Sequence, residues 1–475
     1  MKQFDLIIIG GGAGAFAAAI RANELKAKTA MVNMGLPLGG TCVNVGCVPS
    51  KTLLWAGETL HHAKAHGIPG IELEVKSFDF QKVVQDELAL VERLRQDKYE
   101  KVLKNLEYIT LVEGRAKFVS QNEVEVNGEK LQAGRFIIAA GSTANVPPIQ
   151  GIQEVGYVTH IKALKLEKQP KELIVVGAGP VGLEFAQMYS RFGTKVTMLE
   201  YGPSIFGSGE PELVKKLAEI LIQEGITIYT NAKATKARKE SGPSINSGQA
   251  KKILTFEKDG KENEVSGDEI LLAAGKTANT DGLGFEIAGV DVDKRKAVIV
   301  NQFFQSSQPH IFAVGDVTNG PLRLEPTAGR EGTLAAENAL KGTALSIDYN
   351  SVPYTIFTDP QLASVGFTED EQMKKIGVCA CRTVSFADIP KAIIMRRTEG
   401  LIKMSIHPQT KQILGVHILA PNAGELIAEA MMLVRNKNTI DDVTSSLPMF
   451  PTLSEAIKIV ALSYTKDISK LSCCI

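Results

Sequence analysis

The chain has 475 residues, and its 53 Lys and Arg balance 53 Asp and Glu. That balance gives no electrostatic footing for nucleic acid or an anionic membrane, and no apolar run reaches the ~18 residues needed to span a bilayer. The length predicts roughly three domains, and Met1 to Asp5 lead straight into an apolar strand with no basic leader or cleavage site, which points to the cytoplasm and reduced thiols.

Residues 5–33 read as strand, glycine turn, helix and strand. The turn Gly10-Gly11-Gly12-Ala13-Gly14-Ala15 fits G-x-G-x-x-A directly after an apolar strand, with a helix over 17–25 and a strand over 29–33. Such glycines allow close backbone approach to a pyrophosphate, and the helix N-terminus adds free N–H groups and a positive dipole end. Asn33 stands where an acid usually meets the ribose hydroxyls. An amide still bonds a hydroxyl, without charge.

The stretch Gly39–Lys51 follows, with Cys42 and Cys47 five positions apart. A regular helix would hold this pair too far apart to bridge, because a disulfide needs Cα atoms within roughly 7 Å. Gly39, Gly40 and Gly46 let the backbone bend so that the pair can close in a distorted turn. Two thiols that open and close beside a cofactor form a two-electron store; a structural disulfide or two buried thiols is the plainer alternative. Residues 52–106 read as mostly helical, with His61, His62 and His66 on a solvated helix face. Short strands run from 108 to 140, and the last ends in Gly141-Ser142.

A second unit begins at 173. The strand Leu173-Ile174-Val175-Val176 leads into Gly177-Ala178-Gly179-Pro180-Val181-Gly182, a full G-x-G-x-x-G, then a helix over 183–192 and a strand over 195–199. Glu200 then sits where an acid accepts a ribose 2′-hydroxyl and repels a 2′-phosphate, which favours NADH. Ser241–Lys251 reads as an exposed hairpin loop. Leu271-Leu272-Ala273-Ala274-Gly275 repeats the strand-plus-glycine closure. A strand over 310–314 ends in Gly315-Asp316, where a carboxylate can bond a polyol such as a ribityl chain or cap the residues that follow. A helix is expected over 331–340.

From 351 the texture becomes α+β: strands over 362–366, 383–386, 400–405 and 413–419, a helix over 424–434 and a last one over about 454–466. This reads as a dimerisation module. Cys379 and Cys381 share one face of a strand and read as two further reduced thiols. The chain ends in adjacent thiols, Cys473-Cys474, which suit a soft metal ion that prefers linear S–M–S geometry.

Across its whole length the chain resembles the pyridine nucleotide–disulfide oxidoreductases, on the specific motif Gly40-Thr41-Cys42-Val43-Asn44-Val45-Gly46-Cys47-Val48-Pro49-Ser50-Lys51. The resemblance implies an α/β fold: two Rossmann-like dinucleotide-binding domains, for FAD and NAD(P), and a C-terminal α+β dimerisation domain. It assigns 1–148 and 272–348 to FAD, 149–271 to NAD(P), and 349–475 to dimerisation and the Cys-Cys tail. FAD would meet Gly10, Gly12, Gly14, Ala15, Asn33, Gly40, Thr41, Lys51, Gly141 and Asp316. The nicotinamide nucleotide would meet Gly177, Gly179, Gly182, Glu184, Glu200 and Gly275. Electrons would pass from nicotinamide through flavin to the Cys42–Cys47 disulfide, with Cys47 in charge-transfer contact with the flavin and Cys42 meeting substrate. Lys51 and Glu184 match an ion pair near the flavin.

Disulfide-reducing members end in a His-Pro-Thr-x-Ser-Glu-like motif whose histidine shuttles the proton of a substrate thiol. Here Phe450 precedes Pro451-Thr452-Leu453-Ser454-Glu455, so Glu455 remains and the histidine does not. The tail Tyr464–Cys474, the stretch Phe357–Gln361 and Val43-Asn44-Val45 are similar to the mercuric reductase branch. That likeness implies a homodimer in which Cys473 and Cys474 of one subunit collect Hg(II), released from small thiols, and pass it to Cys42 and Cys47 of the other. It departs in three ways: no N-terminal metal-binding domain, Pro180 and Thr452 in place of tyrosines, and Glu200 where that branch prefers NADPH. The alternatives are a disulfide reductase like dihydrolipoamide dehydrogenase or thioredoxin reductase, and a soft-metal sequestering protein. The first needs the absent histidine; the second has no use for two nucleotide units.

Overall fold

The computed structural model describes residues 2–240 and 251–472, arranged as three sheet-centred units. In the first, Lys2–Ile9 pairs in parallel with Thr29–Asn33 on one side and Glu129–Ile138 on the other. Leu6, Ile7 and Ile8 are fully buried, as a strand covered on both faces requires. Glu129–Ile138 has two partners along its other edge. Its first residues pair antiparallel with Glu123–Val126, and its last three pair in parallel with Ile311–Ala313. That late pairing carries Asp316 to the ends of strands that begin the chain. The helix Glu325–Lys341 packs along Ala13–Glu24 and closes this unit.

The second unit is a parallel sheet in the order Thr227–Tyr229, Lys195–Leu199, Glu172–Val176, Glu269–Leu272, backed by an antiparallel layer of Lys233–Lys239, Lys252–Lys258 and Lys261–Gly267. The hairpin expected over Ser241–Lys251 joins two of these strands and lies, up to 250, outside the described residues. The helix Pro211–Gln223, missing from the sequence reading, buries Leu213, Val214, Leu217, Ile220 and Leu221 along one helical stripe. The chain enters this unit through Ser142–Ala144 and leaves through Lys276–Ala278, and these two short strands pair antiparallel.

The third unit is an antiparallel sheet in the order Tyr354–Ile356, Gln361–Gly366, Ile413–Ala420, Leu401–Ile406, Ala380–Ser385. The helices Ala423–Arg435 and Glu455–Leu462 pack on its apolar face with Phe386, Ile402, Met404 and Ile418. The α/β and α+β reading thus holds, with shifts at the ends. The first helix starts at Ala13 and the last stops at Leu462. The long helical stretch breaks after Ala65 and resumes at Phe80, because Gly67, Pro69 and Gly70 interrupt it. A further helix, Glu369–Ile376, starts at a Thr368/Glu371 capping box. No described helix is long and apolar enough to cross a membrane.

Candidate active site

Cys42 lies in the helix Gly40–Val45 and Cys47 opens the helix Cys47–Ala65, with Gly46 as the break between them. A Cβ at Gly46 would lie 2.8 Å from the Thr41 carbonyl oxygen, so the turn closes only over glycine. Buried Asn44 fastens the preceding loop, donating to the carbonyls of Pro37, Leu38 and Gly40 at 3.1, 3.1 and 2.9 Å. The result is the distorted turn expected from the glycines, with both cysteines as free thiols.

The two thiols hydrogen-bond to each other, and they divide one proton unequally. Cys47 accepts from Cys42 and is drawn down to about 7; burial opposes this and the Lys51 ammonium assists it. Cys42, as the donor and partly buried, is pushed far up. Near neutral pH the pair therefore carries its charge on Cys47. Glu325 and Tyr99 also sit within electrostatic reach of both thiols. Neither stood out in the sequence. Glu325 lies far downstream in an ordinary helix start, and Tyr99 in a helical run.

Lys51 Nζ donates to Glu184 Oε2 at 2.7 Å, and Glu184 Oε1 accepts the Phe357 N–H at 2.9 Å. One buried carboxylate thus joins a helix of each nucleotide-type unit to the start of the third. Nearby, Asp359 accepts from Arg191 at 3.0 Å and from Arg397, and His62 Nε2 lies 3.1 Å from the same carboxylate. Burial alone would raise Asp359; His62, Arg191 and Arg397 outweigh it and hold its pKa well below the usual carboxylate range. The solvated-face reading of the histidines is therefore corrected for His62, which docks on Asp359 and Arg397 and keeps only 36% of its side chain exposed. Its partners come from two connecting segments some three hundred residues away, which spacing on one helix does not reveal.

Both glycine turns have the form of phosphate cradles. Gly12 and Gly179 cap their helices with no side chain bonding the free N–H groups. A Cβ at Gly40 would strike Gly12 Cα at 2.6 Å, and one at Gly182 would strike the Gly177 carbonyl oxygen at 2.0 Å, whereas the space over Gly179 is open. Gly14 and Ala15 are buried in the first helix, and Thr41 lies in the Cys42 helix. These residues fit the two dinucleotides. Asn33 is turned so that its Nδ2 donates to the Leu36 carbonyl at 3.1 Å, with Oδ1 against Gly11. Glu200 stands at the rim of the second cradle, accepting the Ala178 and Gly202 N–H groups at 2.7 Å each. Gly141 and Gly275 sit at the crossover between the two units, their carbonyls accepting from Asn279 and Asn145. Asp316 caps no helix. It accepts from Ser142 Oγ at 2.7 Å and faces Lys276 at 3.9 Å. Its segment is held by Glu331, which accepts the Gly315 N–H at 2.6 Å and the Tyr349 hydroxyl at 2.7 Å.

The remaining candidates lie apart. Phe450 is exposed beside Leu447 and Met449, which are 95% and 76% exposed. Glu455 begins the last helix, buried, with one carboxylate oxygen unpartnered, and burial pushes its pKa up. Among the described residues no hydrogen bond or ion pair ties 446–455 to the cysteine turn of the same chain. Cys473 and Cys474 lie outside the described residues. Cys379 and Cys381 correct the expectation of reduced thiols: their Cα atoms are 6.1 Å apart on one side of a strand, and a disulfide joins them.

The family model described as pyridine nucleotide-disulphide oxidoreductase matches residues 4–332, and that of its dimerisation domain matches 352–461. The chain is 38% identical to mercuric reductase of Lysinibacillus sphaericus over 99% of this chain and 84% of that protein. It is also 38% identical to dihydrolipoyl dehydrogenase of Thermus scotoductus over 96% of both. Among solved structures, the Cu(II) complex of the HOCl-induced flavoprotein disulfide reductase RclA from Escherichia coli superposes with a TM-score of 0.85 at 25% identity, covering 98% of this chain and all of that one.

Proposed function

The chain belongs to the pyridine nucleotide–disulfide oxidoreductases, flavin enzymes that use NAD(P)H, and from that footing we propose that it reduces Hg(II) to Hg(0) at Cys42 and Cys47. The observation that carries the reading is Phe450. Oxidation of a dithiol substrate, or reduction of a disulfide one, needs an imidazole at that place to move a thiol proton. Phenylalanine moves none, and Glu455 behind it is left with an unpartnered oxygen. Hg(II) brings no proton of its own, so the loss costs the reaction nothing.

Residues 1–148 and 272–348 would hold FAD, with the ribityl chain near Asp316; 149–271 would hold the nicotinamide nucleotide; 349–475 would form the dimer. FAD, when bound, supplies the two electrons taken from NAD(P)H. The chain's own part is to present the cation. The Cys47 thiolate is ready near neutral pH and displaces one thiolate ligand from Hg(II); the second incoming bond, from Cys42, passes the Cys42 proton to the other thiolate as it leaves, so that two sulfurs flank a soft d¹⁰ ion. The Lys51–Glu184 pair keeps a cation beside the thiolate while its own charge is balanced. Cys473 and Cys474 of the partner subunit would deliver Hg(II) taken from small thiols. Glu200, fixed by two backbone N–H groups at the cradle rim, favours NADH. We place the enzyme in the cytoplasm, where such thiols are reduced.

A second reading, a disulfide reductase, is favoured by the likeness to dihydrolipoyl dehydrogenase and opposed by Phe450. The two part in one assay. With excess small thiol present, HgCl2 should stimulate nucleotide oxidation, and lipoamide or a protein disulfide should not. The reverse pattern selects the second reading. A higher kcat/KM for NADPH than for NADH would refute the role given to Glu200.

A further inference from the structure

Outside the cysteine turn, the third unit holds a second pair of sulfurs for which the reaction has no use. Cys379 and Cys381 flank Ala380 at the start of the sheet-edge strand Ala380–Ser385, and both are half-buried. Cys379 lies just before the strand and Cys381 within it, and the disulfide between them shows that the two sulfurs meet on one side. A third donor faces them: one carboxylate oxygen of Glu369 lies within 4.8 Å of both sulfurs.

The neighbouring structure holds these three side chains in place. Glu369 opens the helix Glu369–Ile376, its N–H donates to buried Glu210 at 2.6 Å, and its carboxylate accepts from Lys403 at 2.6 Å. The strand is paired to Leu401–Ile406, with Cys381 opposite Ser405. Between the cysteines, the Ala380 carbonyl accepts the Tyr464 hydroxyl at 3.0 Å, and that hydroxyl also reaches the Met404 carbonyl at 2.6 Å. The loop and strand that carry the sulfurs are therefore anchored from both sides.

We propose that Cys379 and Cys381, when reduced, form with Glu369 a second binding site for a soft divalent cation, closed whenever the pair is a disulfide. Opening takes two equivalents of a small thiol. Each sulfur gains a proton, and the two thiols leave joined as one disulfide, so two electrons enter the pair. Binding then releases both protons and forms two metal–sulfur bonds, with the carboxylate as a third, harder ligand. Lys403 faces the same carboxylate and tempers its charge, which leaves the sulfurs dominant. The site stands whether or not Hg(II) is the enzyme's substrate, because it shares no residue with the cysteine turn.

Cd(II), which no step of the proposed reaction reduces, is the probe. The protein is the flavin-loaded full chain carrying Cys42→Ser, Cys47→Ser, Cys473→Ser and Cys474→Ser, reduced with small thiol and freed of it under anaerobic conditions. It should bind one Cd(II) per subunit with a thiolate-to-metal charge-transfer band in the ultraviolet. Oxidation of the pair, or adding Cys379→Ser and Cys381→Ser, should abolish both signals, and Glu369→Gln should weaken binding severalfold. No stoichiometric binding by the reduced protein, or binding that survives loss of both cysteines, overturns the proposal. Should that background fail to fold, the otherwise wild-type holoenzyme and its Cys379→Ser/Cys381→Ser form give the same answer: their Cd(II) stoichiometries must differ by one, and equal values overturn it.

Discussion

Cys47 concentrates the chemistry at the residue scale. Its thiol is drawn down to about 7 by the Cys42 hydrogen bond and by Lys51, against about 8.5 for a free cysteine. Alkylation of the reduced enzyme by iodoacetamide should therefore follow a midpoint near 7, and Lys51→Met should move it upward. A wild-type midpoint at the free-thiol value would contradict the pairing. The stability sign follows the same way. A depressed acid adds stability above its unfolded value, and that share is lost as pH falls through about 7. Glu87 runs opposite. It is 1% exposed on the helix Phe80–Arg95, neither oxygen has a hydrogen-bond partner, and burial raises its pKa to about 7. Its contribution is full below its unfolded value and is lost as pH rises through about 7, at a cost of a few kcal/mol. Glu87→Gln should raise the unfolding temperature at pH 8 well above its effect at pH 5. An equal effect at both would contradict a neutral buried acid. Cys42 and Cys47 stood out by their spacing among glycines, which alone left a structural disulfide open, and took their redox reading from the family motif around them. Glu87 did not stand out, because a polar letter between Val84 and Val91 says nothing about which way the helix faces.

At the scale of elements, the joints between units matter more than any one of them. Asp359 binds Arg191 from the second unit and Arg397 from the third, and takes in His62 from the long first-unit helix. Removing one partner of a buried ion pair strands the others, at roughly 3–5 kcal/mol. Asp359→Asn should lower unfolding stability by that order in denaturant melts. A change under about 1 kcal/mol would show that Arg191 is satisfied by Glu224 alone, to which it also pairs at 2.8 Å. The two strand–turn–helix units were readable because their glycine spacing and apolar runs are local. The Asp359 joint was not, since its members are spread over the whole chain and each looks like an ordinary surface charge. The helix Glu369–Ile376 lay between these cases. Its capping box was in plain view at Thr368 and Glu371, but the short polar run after it has too little apolar periodicity to announce a helix.

For the whole molecule, the proposed chemistry needs two copies of the chain. The exposed Leu447, Met449 and Phe450 belong to the segment matched by the family's dimerisation domain, and the proposed delivery by Cys473 and Cys474 is between subunits. Changing both tail cysteines to alanine should slow turnover of Hg(II) held by strong thiol ligands and spare that of weakly held Hg(II). Wild-type behaviour with both would remove the tail from the mechanism. The fold class was legible because two nucleotide fingerprints and an α+β tail leave few architectures open. The choice of substrate rests on Phe450, which stands where a disulfide-reducing site places its histidine. The direct check is the yield of mercury vapour per nucleotide oxidised by the wild-type dimer under excess thiol, with Cys47→Ser as the blank. One Hg(0) should be released for each NAD(P)H consumed and none from the blank; nucleotide consumed while the mercury stays in solution would overturn the proposed reaction.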